Sequence, residues 1–250
     1  MPLLVLAMDC FACRILFLYI YGIPPSATYV VAIGFGFHRS KNDYKIVRVM
    51  RFERKEFEVE VYSLRLNSWR RISAVPPDVS VSEDECAFLN GVVYWSTREP
   101  FQGSTFILSF DFGSEEFRRI MLPHEVRIML HHERTSFRHI HIRVFEKSLS
   151  FFHRRRQDGQ PGWFYDVWVL EMDTWKKTCT IFLPERGCVP GPLAFTGNGR
   201  FLMVMTGTFS KGPYLVLYDP EAHQTTNTGI KMMKPCGYVD AYIESLILLK

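Results

Sequence analysis

A chain that rewrites one short pattern at a near-constant interval can fold only as an array of like units, and this chain writes its pattern four times. Val59–Ile72 reads VEVYSLRLNSWRRI: an alternating apolar–polar run, a polar break at Asn67-Ser68, and a second run opening on an aromatic residue. ILSFDFGSEEFRRI (Ile107–Ile120), DVWVLEMDTWKKTCTI (Asp166–Ile181) and YLVLYDPEAHQTTNTGI (Tyr214–Ile230) follow the same rhythm, with Thr225 standing where the others carry an aromatic. The corresponding positions Trp69, Phe117, Trp175 and Thr225 lie 48, 58 and 50 residues apart. Alternation with a tight polar break is the mark of a β-hairpin.

Each hairpin is preceded by another. AIGFGFHRSKNDYKIVRVMRF comes before the first, CAFLNGVVYWST before the second, IHIRVFEKSLSFFHRR before the third and LAFTGNGRFLMVMTG before the fourth. Asn90-Gly91 is the dipeptide that a two-residue turn prefers, because both of its central residues need positive φ. The unit is therefore four antiparallel strands in about fifty residues, the period of a kelch-type propeller blade. One such sheet cannot bury both faces by itself, so blades must stack around an axis. The expected fold is all-β and β-propeller-like: about four complete four-stranded blades, plus a C-terminal strand at Val239–Leu249. No helical period competes, and Trp69, Tyr94, Trp95, Phe110, Phe117, Trp168 and Trp175 read as packing between blades.

Strand order sorts the connections onto two rims. The first-to-second and third-to-fourth turns are short (LNG, EKS, TGNG, LNS, GSEE) and share one rim. The other rim receives the long connections: Ala74–Glu85, Thr97–Ser104, Pro123–Phe137, Arg154–Trp163, Pro184–Pro192 and Thr206–Pro213. Binding surfaces are commonly carried on elaborated loops over a rigid scaffold. The candidate partner-binding residues are accordingly Glu83, Asp84, Arg98, Phe101, Arg154, Arg155, Arg156, Trp163, Arg186 and Lys211. The Arg154–Arg156 run could steer an acidic partner, with Trp163 as an aromatic anchor, or could be a solvated loop.

Composition narrows the class of function. Apolar residues make up 47% of the 250-residue chain and aromatics 15%, enough for a sizeable core. The formal charge of +4 is mild and comes from small clusters, so nucleic-acid binding is not indicated. Six cysteines scattered through so large a domain read as reduced thiols, which places the chain in the cytoplasm or nucleus. Cys10-x-x-Cys13 has no second pair and carries neither zinc nor redox chemistry on its own. Leu3–Tyr21 is apolar, but Asp9 and Arg14 interrupt it, so it fits neither a membrane span nor a signal peptide. Residues 1–33 are read as an atypical leader and 34–250 as the propeller-like domain, with Arg14–Tyr21 (RILFLYIY) expected to add a strand to the last sheet.

The pieces GFGFHRSKNDYKIVRV, VEVYSLRLNSWRRI, AFLNGVVYW, ILSFDFGSEEFRRIMLP, VWVLEMDTWKK and LVLYDPEAHQ, and the closing YVDAYIESLILL, together resemble the plant F-box-associated domain (type 1). F-box/kelch-repeat and S-locus F-box-like proteins share this domain. The resemblance runs in order from Gly34 to Leu249. It implies the substrate-recognition half of an SCF-type ubiquitin ligase receptor, which holds a protein target while the F-box docks on Skp1 and its cullin. It implies no catalysis and no cofactor. Met1–Ile33 carries neither the Leu-Pro start nor the Cys-Lys-x-Trp end of an F-box. The expectation is therefore a truncated member that binds a target without recruiting the ligase.

Enzyme chemistry is the competing reading. His131, His132, His139, His141 and His153 fall close together, and His139 and His141 would share a strand face. No carboxylate or cysteine stands at ligand spacing beside them, so they read as surface or edge histidines and no metal is expected. Glu83, Asp84 and Glu85 read as a solvated loop. GFGF opens a hairpin, and neither G-x-S-x-G nor H-E-x-x-H occurs. A sugar-acting propeller enzyme, with paired carboxylates at its axis, and a non-functional fragment are the alternatives.

Overall fold

The computed structural model describes residues 29–231, apart from 53–56, 78–79, 99–104, 133–139, 184–191, 207–211 and the single positions 146, 158, 161 and 197. Within them lie four separate four-stranded antiparallel sheets, each a meander in chain order. Blade 1 holds β1 (Tyr29–His38), β2 (Asp43–Arg51), β3 (Phe57–Ser63) and β4 (Ser68–Ile72). Blade 2 holds β5 (Ser80–Leu89), β6 (Val92–Arg98), β7 (Thr105–Asp111) and β8 (Phe117–Met121). Blade 3 holds β9 (Ile140–Phe145), β10 (Ser148–Arg155), β11 (Trp163–Glu171) and β12 (Thr174–Leu183). Blade 4 holds β13 (Pro192–Phe195), β14 (Phe201–Thr206), β15 (Pro213–Asp219) and β16 (Gln224–Lys231). The first strands lie side by side, β1 against β5, β5 against β9 and β9 against β13, which makes them the inner strands of a β-propeller. β1 begins at Tyr29, inside the stretch read as leader.

Both faces of an inner blade are apolar, as a sheet covered on two sides requires. Phe106, Leu108 and Phe110 of β7 face blade 1 and join Val47, Val49, Val59, Val61, Val93 and Trp95 in one core. Ile107, between them, points the other way, into the core shared with Ile140, Ile142, Phe151 and Trp168 of blade 3. Phe152, Tyr165, Val167 and Ile181 then meet Phe201, Met203, Val216 and Tyr218 of blade 4. The aromatics expected between blades are found there, save Trp69, whose partners are Tyr62 and Arg48 within blade 1.

Each of the three seams among the described residues is also tied by a side-chain N–H given to a carbonyl of the neighbouring blade. Trp95 Nε1 donates to Ile33 O at 2.8 Å between blades 1 and 2, and Trp175 Nε1 donates to Met121 O at 2.8 Å between blades 2 and 3. Arg143 Nε donates to Leu193 O at 3.0 Å between blades 3 and 4. The glycines of GFGF serve the first seam. A Cβ on Gly34 would lie 2.7 Å from Trp95 Cζ2, and one on Gly36 would lie 2.7 Å from Phe112 Cε2. β1 can approach blade 2 only because those side chains are hydrogen.

The turns are built as the sequence suggests. Asn90 and Gly91 take φ of +51° and +88°, the two-residue turn expected of them. Asp43, at the head of Asp-Tyr-Lys-Ile-Val, caps the β3–β4 turn: Ser63 Oγ donates to Oδ2 at 2.6 Å and Arg65 N donates to Oδ1 at 2.9 Å. Tyr62 Oη donates to Asn67 Oδ1, and Tyr218 Oη pairs with His223 Nδ1 at the same place in blade 4.

Three expectations are corrected. First, the domain is not free of helix, since α1 (His124–His132) occupies the link between blades 2 and 3. Val126 and Leu130, one turn apart, are buried against both blades, so the helix seals a seam and leaves the blades intact. Second, Glu83 and Asp84 are not in a loop: they lie in β5, where the pairs Val81–Thr97 and Cys86–Trp95 leave four residues opposite Ser96 alone. That irregularity is a bulge in the inner strand. Third, His141 and His153 are buried, at 7% and 0% exposure, and point to opposite faces of blade 3. The strands expected at Arg14–Tyr21 and Val239–Leu249 fall outside the described residues, as do His139, Cys10 and Cys13.

Candidate protein-binding interface

The rim opposite the short turns gathers the ends of β2, β4, β6 and β10 and the starts of β3, β7 and β11. Four of the candidate residues meet there. Arg154 and Arg155 end β10, Arg156 follows, and Trp163 opens the neighbouring β11. Because successive side chains of a strand alternate between faces, the arginine run divides. Arg154 and Arg156 lie over the ring of Trp163, with guanidinium carbons 4.6 and 4.3 Å from its centroid. Arg155 turns to the other face, where it lies over Phe164 at 5.0 Å and reaches Asp166.

Asp166 is the hub of that second face. Only 4% exposed, it accepts Arg155 Nε at 2.8 Å and Thr180 Oγ1 at 2.7 Å, and Lys177 Nζ stands 2.8 Å away. Burial alone would push its carboxyl up, but the hydrogen bonds from Arg155, Lys177 and Thr180 outweigh that and hold it at about 2. The carboxylate is thus ionised at neutral pH and pins Arg155 in place. Nothing in the sequence singled out Asp166 or Phe164. The available signal was the strand alternation carried one residue past β10.

The same arrangement recurs at the seam between blades 1 and 2. Arg51, the last residue of β2, lies 5.3 Å over Phe57, its register partner at the start of β3. Arg119 lies 4.9 Å over Phe106, on the face of blade 2 that meets blade 1. Beside them, Phe57, Arg71, Ile72, Ser73, Ala74 and Val75 line an open groove, with Arg71 paired to Glu58 at 2.8 Å. The side chains of Glu83, Asp84 and Arg98, and the residues Phe101, Arg186 and Lys211, lie outside what is described. Among the described residues, no cluster of His, Cys, Asp and Glu could hold a metal ion, and no helix is long and apolar enough to cross a membrane.

A family model described as the F-box associated beta propeller domain matches residues 21–247. The chain belongs to the F-box-associated propeller family. Among curated relatives, an F-box/LRR-repeat/kelch-repeat protein of Arabidopsis thaliana is 34% identical over 93 residues, covering 37% of this chain and 26% of the relative. An F-box/kelch-repeat protein of the same plant is 30% identical over 97 residues, covering 38% and 26% respectively. The chain thus spans about a quarter of the length of these relatives. Among solved structures, the β-propeller domain of the trilobed protease from Pyrococcus furiosus matches with a TM-score of 0.43 at 16% identity, covering 81% of this chain and 58% of that one. Sucrose-6-phosphate hydrolase from Lactobacillus gasseri matches at 0.47 and 12%, covering 88% and 53%. Both are likenesses of shape, and neither bears on chemistry.

Proposed function

We propose that this F-box-associated propeller is a protein-binding receptor module: the part of an SCF-type ubiquitin ligase receptor that holds the target, acting in the cytoplasm or nucleus and doing no bond chemistry. The observation that carries the reading is the family match over residues 21–247, in relatives named as F-box proteins. The rim supports it. Its side chains are arginines over aromatic rings, the residue types that dominate protein-recognition hot spots. Among the described residues the buried carboxylates, Asp43 and Asp166, are both engaged in holding the scaffold, one at a turn and one among cations.

Docking on Skp1 belongs to an F-box, and the described residues from Tyr29 to Lys231 are occupied by the propeller and its links. The propeller is therefore read as the target-holding part of such a receptor. The test is an affinity pull-down of the chain from plant extract, scored for Skp1-like and cullin subunits and for other enriched proteins. Enrichment of a specific protein is the expected result. Capture of no protein above a scrambled-rim control would overturn the receptor reading. Hydrolysis of a glycoside by the purified chain would favour the enzyme alternative.

A further inference from the structure

Resting on the receptor reading, we propose that the loop rim takes an acidic, extended segment of the target protein, seated at the seam between blades 3 and 4 on Arg154, Arg156 and Trp163. The argument begins with repetition. At the first seam Arg51 lies over Phe57, at the second Arg155 lies over Phe164, and at the third Arg154 and Arg156 lie over Trp163. Phe57 packs into the core between blades 1 and 2, and Trp163 into the core between blades 3 and 4. Such pairs thus recur at three successive seams, at the loop-rim end of the strands of blades 1 and 3.

A guanidinium resting on an aromatic face has already given up part of its rotamer freedom, so it loses less on meeting a carboxylate. Arg155 is engaged by the buried Asp166 at the second seam, whereas at the third Arg156, over Trp163, is exposed. Guanidinium groups stacked on a ring suit carboxylate side chains, whose two oxygens accept a pair of parallel N–H bonds from Arg. Single-stranded nucleic acid fits less well. It binds by stacking its bases on open aromatic faces, and these rings already carry guanidinium groups.

The experiment uses the whole chain and fluorescence anisotropy with a labelled Glu-Ser repeat peptide, against Gln-Ser and Lys-Ser repeats. The Glu-Ser peptide is expected to bind best, with affinity that falls as salt rises. Arg156→Ala, at an exposed position that leaves the core intact, should weaken it about tenfold, which corresponds to about 1.4 kcal/mol. Arg156→Lys should restore only part of the loss, and Arg118→Ala, at the far end of blade 2, should change nothing. Equal binding of the three peptides, or unaltered binding by Arg156→Ala, would overturn the proposal. So would tighter binding of a single-stranded oligouridine lost in the same variant, which would make the rim a nucleic-acid surface. The receptor reading is scored separately: if Arg156→Ala still captures the target from plant extract while ignoring acidic peptide, the acidic segment is wrong and the receptor stands.

Discussion

Lys45 Nζ stands 3.6 Å from Glu115 Oε1, joining the second strand of blade 1 to the outer turn of blade 2. Arg70 reaches the same carboxylate. Burial lowers the pKa of Lys45, and Glu115 opposes that shift. Glu115→Gln should therefore destabilise the first seam by about 1–3 kcal/mol near neutral pH. It should also deepen the depression of Lys45. Between a lowered folded pKa and the ordinary 10.5 the unfolded chain holds more protons, so stability rises with pH there. The variant's urea midpoint should climb more steeply than the native one over the alkaline range below 10.5, and parallel curves would contradict the pairing.

Asp166 makes the opposite prediction on the acid side. With the folded pKa at about 2 against an ordinary 3.8, its contribution is complete above the ordinary value and is lost as pH falls toward 2. That contribution is on the order of 2 kcal/mol. Asp166→Asn should be less stable at neutral pH and should lose less on acidification, read as a shallower fall in melting temperature between pH 5 and 2.

Two glycines separate close packing from backbone strain. Gly36→Ala would drive a methyl group into Phe88 and Phe112, at a cost of about 1–3 kcal/mol. Gly91→Ala meets nothing within 4 Å and costs only its left-handed conformation, about 1 kcal/mol. Denaturant unfolding should rank Gly36→Ala as the more damaging. Relief of the Gly36→Ala defect by trimming Phe88 to Leu would tie it to that contact.

Two ion pairs in blade 1 should behave differently. Arg48, 3% exposed, gives Nε and Nη2 to Glu60 Oε2 at 2.8 and 2.6 Å and lies 3.9 Å over Trp69. Glu60→Ala leaves that buried cation uncompensated, and the loss should be about 3–5 kcal/mol. The Arg71–Glu58 pair, with Arg71 64% exposed, should lose no more than about 1 kcal/mol in Glu58→Ala. Thermal melts of the two variants decide it.

The hairpins were legible because they are local: alternation, Asn90-Gly91 and the recurring aromatic are all written within a few residues. What escaped was set by distance or by brevity. α1 is only nine residues long, with Val126 and Leu130 as its one buried pair, too little to show a period against the surrounding strands. The bulge at 82–85 depends on where β5 and β6 come into register, which composition does not report. At the rim, Arg154, Arg155, Arg156 and Trp163 were chosen from the sequence, yet their division between two faces follows from β10 running to Arg155. The roles of Asp166 and Lys177 needed a strand from farther along the chain.

That division has a mechanical meaning. Arg155 is clamped to a carboxylate inside the sheet, and the next residue, Arg156, stands on the surface in a different cleft. Tension applied outside passes through one peptide bond into the body of the third leaf, with no slack loop to absorb it. A chain gripped at that point would tug directly on the sheet of blade 3.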